Sequence, residues 1–205
     1  MMRMRSAVVT LLLATAGCSG GQTLTSPSLT TNQETSITDV SNGATITFDG
    51  FASNQPFSTA IQSGFTIDVT QGSWIALPPA IQFRADRGQT VTGQIRISAG
   101  GSRFRFQAVD LYSSTTPIPY AVQAFQNFST GSSSQSGLAF SASSVLDATV
   151  LGNTFGNYAT VPSPDPSTFI AALVITLTNA AFPCCDNPMG LKNIVLAGSS
   201  SLVPR

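Results

Sequence analysis

The chain has 205 residues, of which 9% are charged and none is histidine; nine basic side chains balance nine acidic ones. An ordinary soluble protein carries about 25% charge. The absence of histidine excludes serine–histidine and cysteine–histidine catalysis and imidazole-based zinc sites, and the zero net charge argues against a protein that tracks nucleic-acid phosphates.

Met1 to Gly17 reads as an export signal, with a basic start (Arg3, Arg5), the apolar run Ala7–Leu13 and small residues before a cut site. The run is far short of the ~20 residues that span a bilayer. The stretch at its end, Leu13-Ala14-Thr15-Ala16-Gly17-Cys18, resembles a bacterial lipoprotein signal, in which the cysteine after a small-residue box takes the lipid. Thr15 stands where that signal usually has an apolar residue. The resemblance implies lipidation of Cys18, and Ser19 after it implies the outer membrane of a two-membrane cell. Residues 18–35 are rich in Ser, Thr, Gly and Gln without apolar periodicity, the composition of a flexible tether. The domain is expected over 36–198. Residues 199–205 read as a disordered tail; Leu202-Val203-Pro204-Arg205 matches the remnant of a protease site used in protein expression.

From Ile37 onward the apolar residues recur with period two. The alternating segments are Ala44–Phe48, Phe65–Val69, Val91–Ile97, Arg103–Phe106, Tyr120–Phe125, Leu138–Phe140, Val145–Leu151, Ala172–Leu177 and Lys192–Leu196, separated by Gly, Pro, Asn and Ser clusters. Short strands at such spacing predict an all-β, antiparallel sandwich. Only Ser58–Ser63 suggests a helical turn. If Gly100-Gly101 is a two-residue hairpin turn, Ile97 faces Phe104, Ile95 faces Phe106, and Arg96, Arg103 and Arg105 share one solvent face.

Three stretches resemble the galactose-binding-like, carbohydrate-binding-module type of jelly-roll sandwich: Ile46-Thr47-Phe48-Asp49-Gly50 with Ser63–Ile67, Phe104–Leu111, and Leu191–Leu196 preceded by Ile170–Thr178. The resemblance implies that fold and a carbohydrate ligand. It also implies a structural calcium ion, although Lys192 occupies the place where such domains often carry an aspartate ligand. Asp49 and Asp186 remain as oxygen donors, or are simply turn residues.

Five arginines (Arg84, Arg87, Arg96, Arg103, Arg105) fall within one short stretch. Three of them, Arg96, Arg103 and Arg105, are candidates for an acidic glycan or a lipid headgroup, or cover apolar sheet surface with their stems. Trp74, the single tryptophan, is a candidate sugar platform or a core residue; Tyr112, Tyr120 and Tyr158 are the other aromatic candidates. Cys184 and Cys185 are adjacent, open to a vicinal disulfide or to packing as free thiols. The acidic residues form no paired-carboxylate motif of the kind a glycosidase needs. These features predict a non-catalytic, lipid-anchored binding or adhesion module without a nucleic-acid partner. The alternatives are an assembly protein of the cell envelope that binds another protein, and a glycan-active hydrolase.

Overall fold

The computed structural model describes residues 43–85, 90–113, 118–129, 134–146, 158–179 and 187–200. Through them run β1 (Ala44–Ile46), β2 (Gln55–Phe57), β3 (Thr59–Gln62), β4 (Phe65–Gln71), β5 (Trp74–Leu77), β6 (Ala80–Ala85) and β7 (Val91–Ser98). They continue with β8 (Arg103–Ser113), β9 (Ile118–Ser129), β10 (Ser134–Leu146), β11 (Tyr158–Pro162), β12 (Ala172–Asn179) and β13 (Asn187–Ser200). No helix occurs among the described residues. One sheet has seven strands in the order β11-β8-β13-β6-β5-β2, with β1 also on β13; the other has six, β10-β9-β12-β7-β4-β3. Every pairing is antiparallel. The fold is the predicted all-β sandwich.

Alternation decides which side chains enter the sandwich. Phe104, Phe106, Val109 and Leu111 of the seven-stranded sheet, and Ile67, Ile95, Ile97, Leu173 and Ile175 of the six-stranded one, are wholly buried. Phe65 meets Phe104 across the layer edge to face, with centroids 5.2 Å apart, a favoured aromatic geometry. Trp74 and Phe83 pack at 4.8 Å in space that Gly93 leaves open. A Cβ on Gly93 would lie 2.6 Å from the Phe83 ring and 2.8 Å from the Trp74 indole.

Two expectations are corrected. Ser58–Ser63 is not a helical turn: Thr59–Gln62 forms an edge strand on β4, closed by Ser63-Gly64, both at positive φ (52° and 80°). Two successive positive-φ residues make the tight turn that suits strand twist. The hairpin drawn around Gly100-Gly101 does not form either. Ala99 and Ser102 make a single bridge, after which the strands part to different sheets: β7 pairs with β12 and β4, β8 with β13 and β11. Ile95, Ile97, Phe104 and Phe106 do face inward, but from opposite layers. Period two states which face a residue occupies, not which sheet.

Along the β8–β13 pair the register slips by one residue at Asn193, which has φ 36°, slips back at Gln107, and shifts again between Ala197 and Ser200. Each slip is a bulge. Inward residues change from Met189 and Leu191 to Ile194 and Leu196 on β13, and from Phe104 and Phe106 to Val109 and Leu111 on β8.

Overpacking the layer is the sharpest test of this interior. Gly93→Val should cost about 1–3 kcal/mol, read as a lowered denaturant midpoint; unchanged stability would mean that Trp74 and Phe83 do not close over this strand.

Candidate functional site

The predicted site residues separate. Trp74 is 2% exposed, donates its indole N–H to the Gln71 carbonyl at 3.0 Å and belongs to the core, so it offers no platform. Arg96 lies on the outer face of the six-stranded sheet, while Arg103 and Arg105 lie on the outer face of the seven-stranded one. The expected three-arginine face therefore does not exist. Asp49 sits in an exposed turn after β1, and no group of three or more His, Cys, Asp or Glu placed to hold a metal occurs among the described residues. Cys18, Arg84's side chain, Arg87, Cys184, Cys185 and Asp186 lie outside what the structure describes.

Arg96 is committed internally. It ion-pairs with Asp68 at 2.9 Å, and Asp68 also accepts from the Thr59 hydroxyl at 2.9 Å. The Phe128 ring lies 4.8 Å from its guanidinium carbon. Arg96 shares a row with Val174 and Gln123, and β9 bends beyond Phe125 so that Phe128 reaches it. The extra residue at the Leu138/Phe140 register shift and Gly137 at φ 68° supply the bend. Beneath, Ala172, Val174 and Ser98 are buried although they point outward. That end of the face is covered.

The outer face of the seven-stranded sheet carries the chemistry. One row crosses it: Tyr158, Tyr112, Gly190, Gln82, Ile75 and Pro56. The Tyr112 and Tyr158 rings pack with centroids 5.2 Å apart, and Tyr158 is the surface member because Tyr112 is only 8% exposed. The Lys192 ammonium lies 3.8 Å above the Tyr158 ring, a cation–π contact. In the next row, Asp110 accepts from Thr160 Oγ1 at 2.6 Å and from Asn193 Nδ2 at 2.8 Å. The bulge at Asn193 makes this possible: an asparagine tolerates positive φ, and the extra residue turns its amide toward Asp110 beside Lys192.

Burial pushes the Tyr112 phenol above its ordinary pKa. Tyr158 is raised too, by burial first, then by Tyr112 and by the negative Asp110. Both phenols thus stay neutral through the physiological range as donors and acceptors. Further along β8, Gln107 donates to the Pro166 carbonyl at 3.0 Å, beside an open depression of about 320 Å³ lined by Thr45, Gln107, Val195 and Ala197 among others. Asp165 nearby is turned into its own loop: Thr168 and Ser167 bond its carboxylate and hold it below the usual carboxylate range.

Of these residues, Tyr112 and Tyr158 were among the sequence candidates. Asp110, Thr160 and Asn193 were not, because nothing local joins residues separated by 50 and by 83 positions.

No family model and no curated protein matches the chain. Among solved structures it is similar to a family 29 carbohydrate-binding module from Piromyces equi, at 12% identity over 80% of this chain and 95% of that one, with a TM-score of 0.39. A family 29 module complexed with cellulohexaose matches at 12% identity, 77% and 92% coverage and a TM-score of 0.38. An agarase matches at 11% identity over 75% of this chain and 26% of its own, with a TM-score of 0.40. At such identities the ligand has to be argued from this chain's own side chains.

The tyrosine environment is open to direct measurement. Asp110→Asn removes the charge that disfavours phenolate, so the Tyr158 pKa should move down toward its ordinary value. Phenolate absorbance followed against pH, with Tyr158→Phe as the subtraction, reads that shift; no movement would place Asp110 out of reach of the ring.

Proposed function

We propose that this chain is a non-catalytic glycan-binding module whose ligand lies across the outer face of the seven-stranded sheet. The observation that carries this reading is the Tyr112–Tyr158 pair with Lys192 above it and Asp110 braced by Thr160 and Asn193. A sugar presents an apolar ring face and a fringe of hydroxyls. The cluster offers the matching set: an amphipathic aromatic, a carboxylate held by two hydrogen bonds, an amide and an ammonium. A few placed polar groups on an apolar surface give orientation and selectivity. Lys192 sits on a flexible stem and swings to the ligand's oxygens as a sugar ring takes its place on Tyr158. Hydrolysis gains no such support, since Asp68 and Asp110 lie on opposite outer faces and each is tied to its own partners.

The module is anchored by lipid on Cys18 and carried on the polar tether of residues 18–35, with the outer membrane as its site. The support is the signal-like N-terminus and its small-residue box. Cys18→Ser should move the protein from the membrane fraction to the soluble one; membrane association that survives the change would remove the anchor from this reading.

A second reading, assembly with another envelope protein, draws on β10. This edge strand of 13 residues contains no charge and no proline and exposes Leu138 and Val145, whereas natural edges are commonly guarded by one or the other. One experiment separates the two. On a broad glycan array the wild-type chain should bind at least one polysaccharide, and Tyr158→Ala should weaken that binding about tenfold or more. A chain that ignores every glycan would leave the assembly reading standing.

A further inference from the structure

The glycan reading leaves two cations on the same face without an employment. Arg103 and Arg105 point outward from the far end of β8 from Tyr112, in line with Gln107 and Asp110. At about 3.3 Å per residue, Arg103 and Tyr112 are separated by about 30 Å. Between them lies the open depression beside Gln107, flanked by Ala197, the cross-strand partner of Arg105.

The charges along this line are unequal in their commitments. Among the described residues the one ion pair is Arg96–Asp68, on the other face. Within that same set, Arg103, Arg105 and Lys192 have no carboxylate within ion-pair distance. The neighbouring acids are already engaged, Asp110 by Thr160 and Asn193 and Asp165 by Ser167 and Thr168. Arg105 is held flat, its guanidinium carbon 5.2 Å from the centre of the Phe169 ring. Its Nε is buried with no hydrogen-bond partner. A planar fork fixed by stacking suits a planar carboxylate, which it can meet with two parallel hydrogen bonds.

Resting on the glycan reading, we propose that the ligand is a uronate polysaccharide laid along β8. One stretch of sugar meets Tyr158 and Lys192, the chain crosses the depression beside Gln107, and its carboxylates reach Arg105 and Arg103. The cations at the two ends select for charge, and the tyrosine end binds the sugar ring itself.

Affinity electrophoresis of the full chain through polygalacturonate and alginate, each beside its esterified neutral form, tests this. The wild-type chain should be retarded at least tenfold more strongly by one acid form than by its ester, with the difference shrinking as salt rises. Arg103→Gln with Arg105→Gln should erase that difference, while Tyr158→Ala should weaken both forms. Arg105→Lys keeps the charge and the packing stem and should still lose most of the preference; full preference in this variant would overturn the carboxylate fork. Equal retention by acid and ester overturns the uronate assignment and leaves the glycan reading intact. Tighter retention by dextran sulfate than by either uronate overturns the carboxylate in favour of sulfate. No retention by any polysaccharide takes down the glycan reading with it.

Discussion

The structure depends on one close-packed apolar layer, in which inward side chains of two antiparallel sheets interdigitate. Ile95 and Ile97 on one side and Phe104 and Phe106 on the other have no measurable exposure, and Phe65 bridges to Phe104 edge to face. Truncating one such phenylalanine removes roughly 3–5 kcal/mol, a large part of the marginal stability of any domain. This layer fixes every other placement, because once the inward set is buried the intervening residues must point out. Gly100 and Gly101, both at positive φ, then act as a corner between sheets, and the sequence neighbours Arg96 and Arg105 end on opposite sides of the molecule.

The two outer faces that result are chemically unlike. On the six-stranded sheet Arg96 is engaged by Asp68 and by the Phe128 ring. On the seven-stranded sheet Tyr158, Lys192, the braced Asp110 and two arginines without a carboxylate partner among the described residues stay accessible. The contrast lies in the partners of each charge more than in the number of charges, since a guanidinium already paired has little left for a ligand.

Much of the architecture was legible in the sequence. Alternation at Phe65–Val69 and Val91–Ile97 named strands and their buried faces correctly; at Ala172–Leu177 it named the strand, where Ala172 and Val174 are buried on the outer side as well. β2, β5, β6 and β11 were not legible: each is short, Pro56 and Pro162 interrupt or end two of them, and Pro78-Pro79 separates the other pair. Propensity counts such prolines against a strand, yet Pro56 and Pro162 are tolerated on edge strands, where no ladder bond is lost. The site was half legible. Tyrosines can be listed from sequence, but the pairing of Tyr112 with Tyr158 and of Asp110 with Asn193 is made by long-range strand order, which period two does not encode. Trp74 was open in sequence between an exposed platform and a core plug, the core being favoured; packing against Gly93 on the opposite sheet decides for the core.

The two slips along the β8–β13 pair have a further consequence for how this surface can change by descent. They cancel, so at Leu196 and Ala197 the strands are in the same alignment as before Asn193, until a further shift between Ala197 and Ser200. Losing Asn193 alone would remove that bulge and leave Met189, Leu191, Ile194 and Leu196 in unbroken inward alternation, but would take away the amide that braces Asp110. Losing one from each strand together would restore a regular ladder over this stretch while removing only Asn193's hydrogen bond from the polar cluster. The extra residue at Asn193 is thus dispensable to the interior and required by the Asp110 cluster on the outer face, so the length of β13 would record that cluster's presence across related chains.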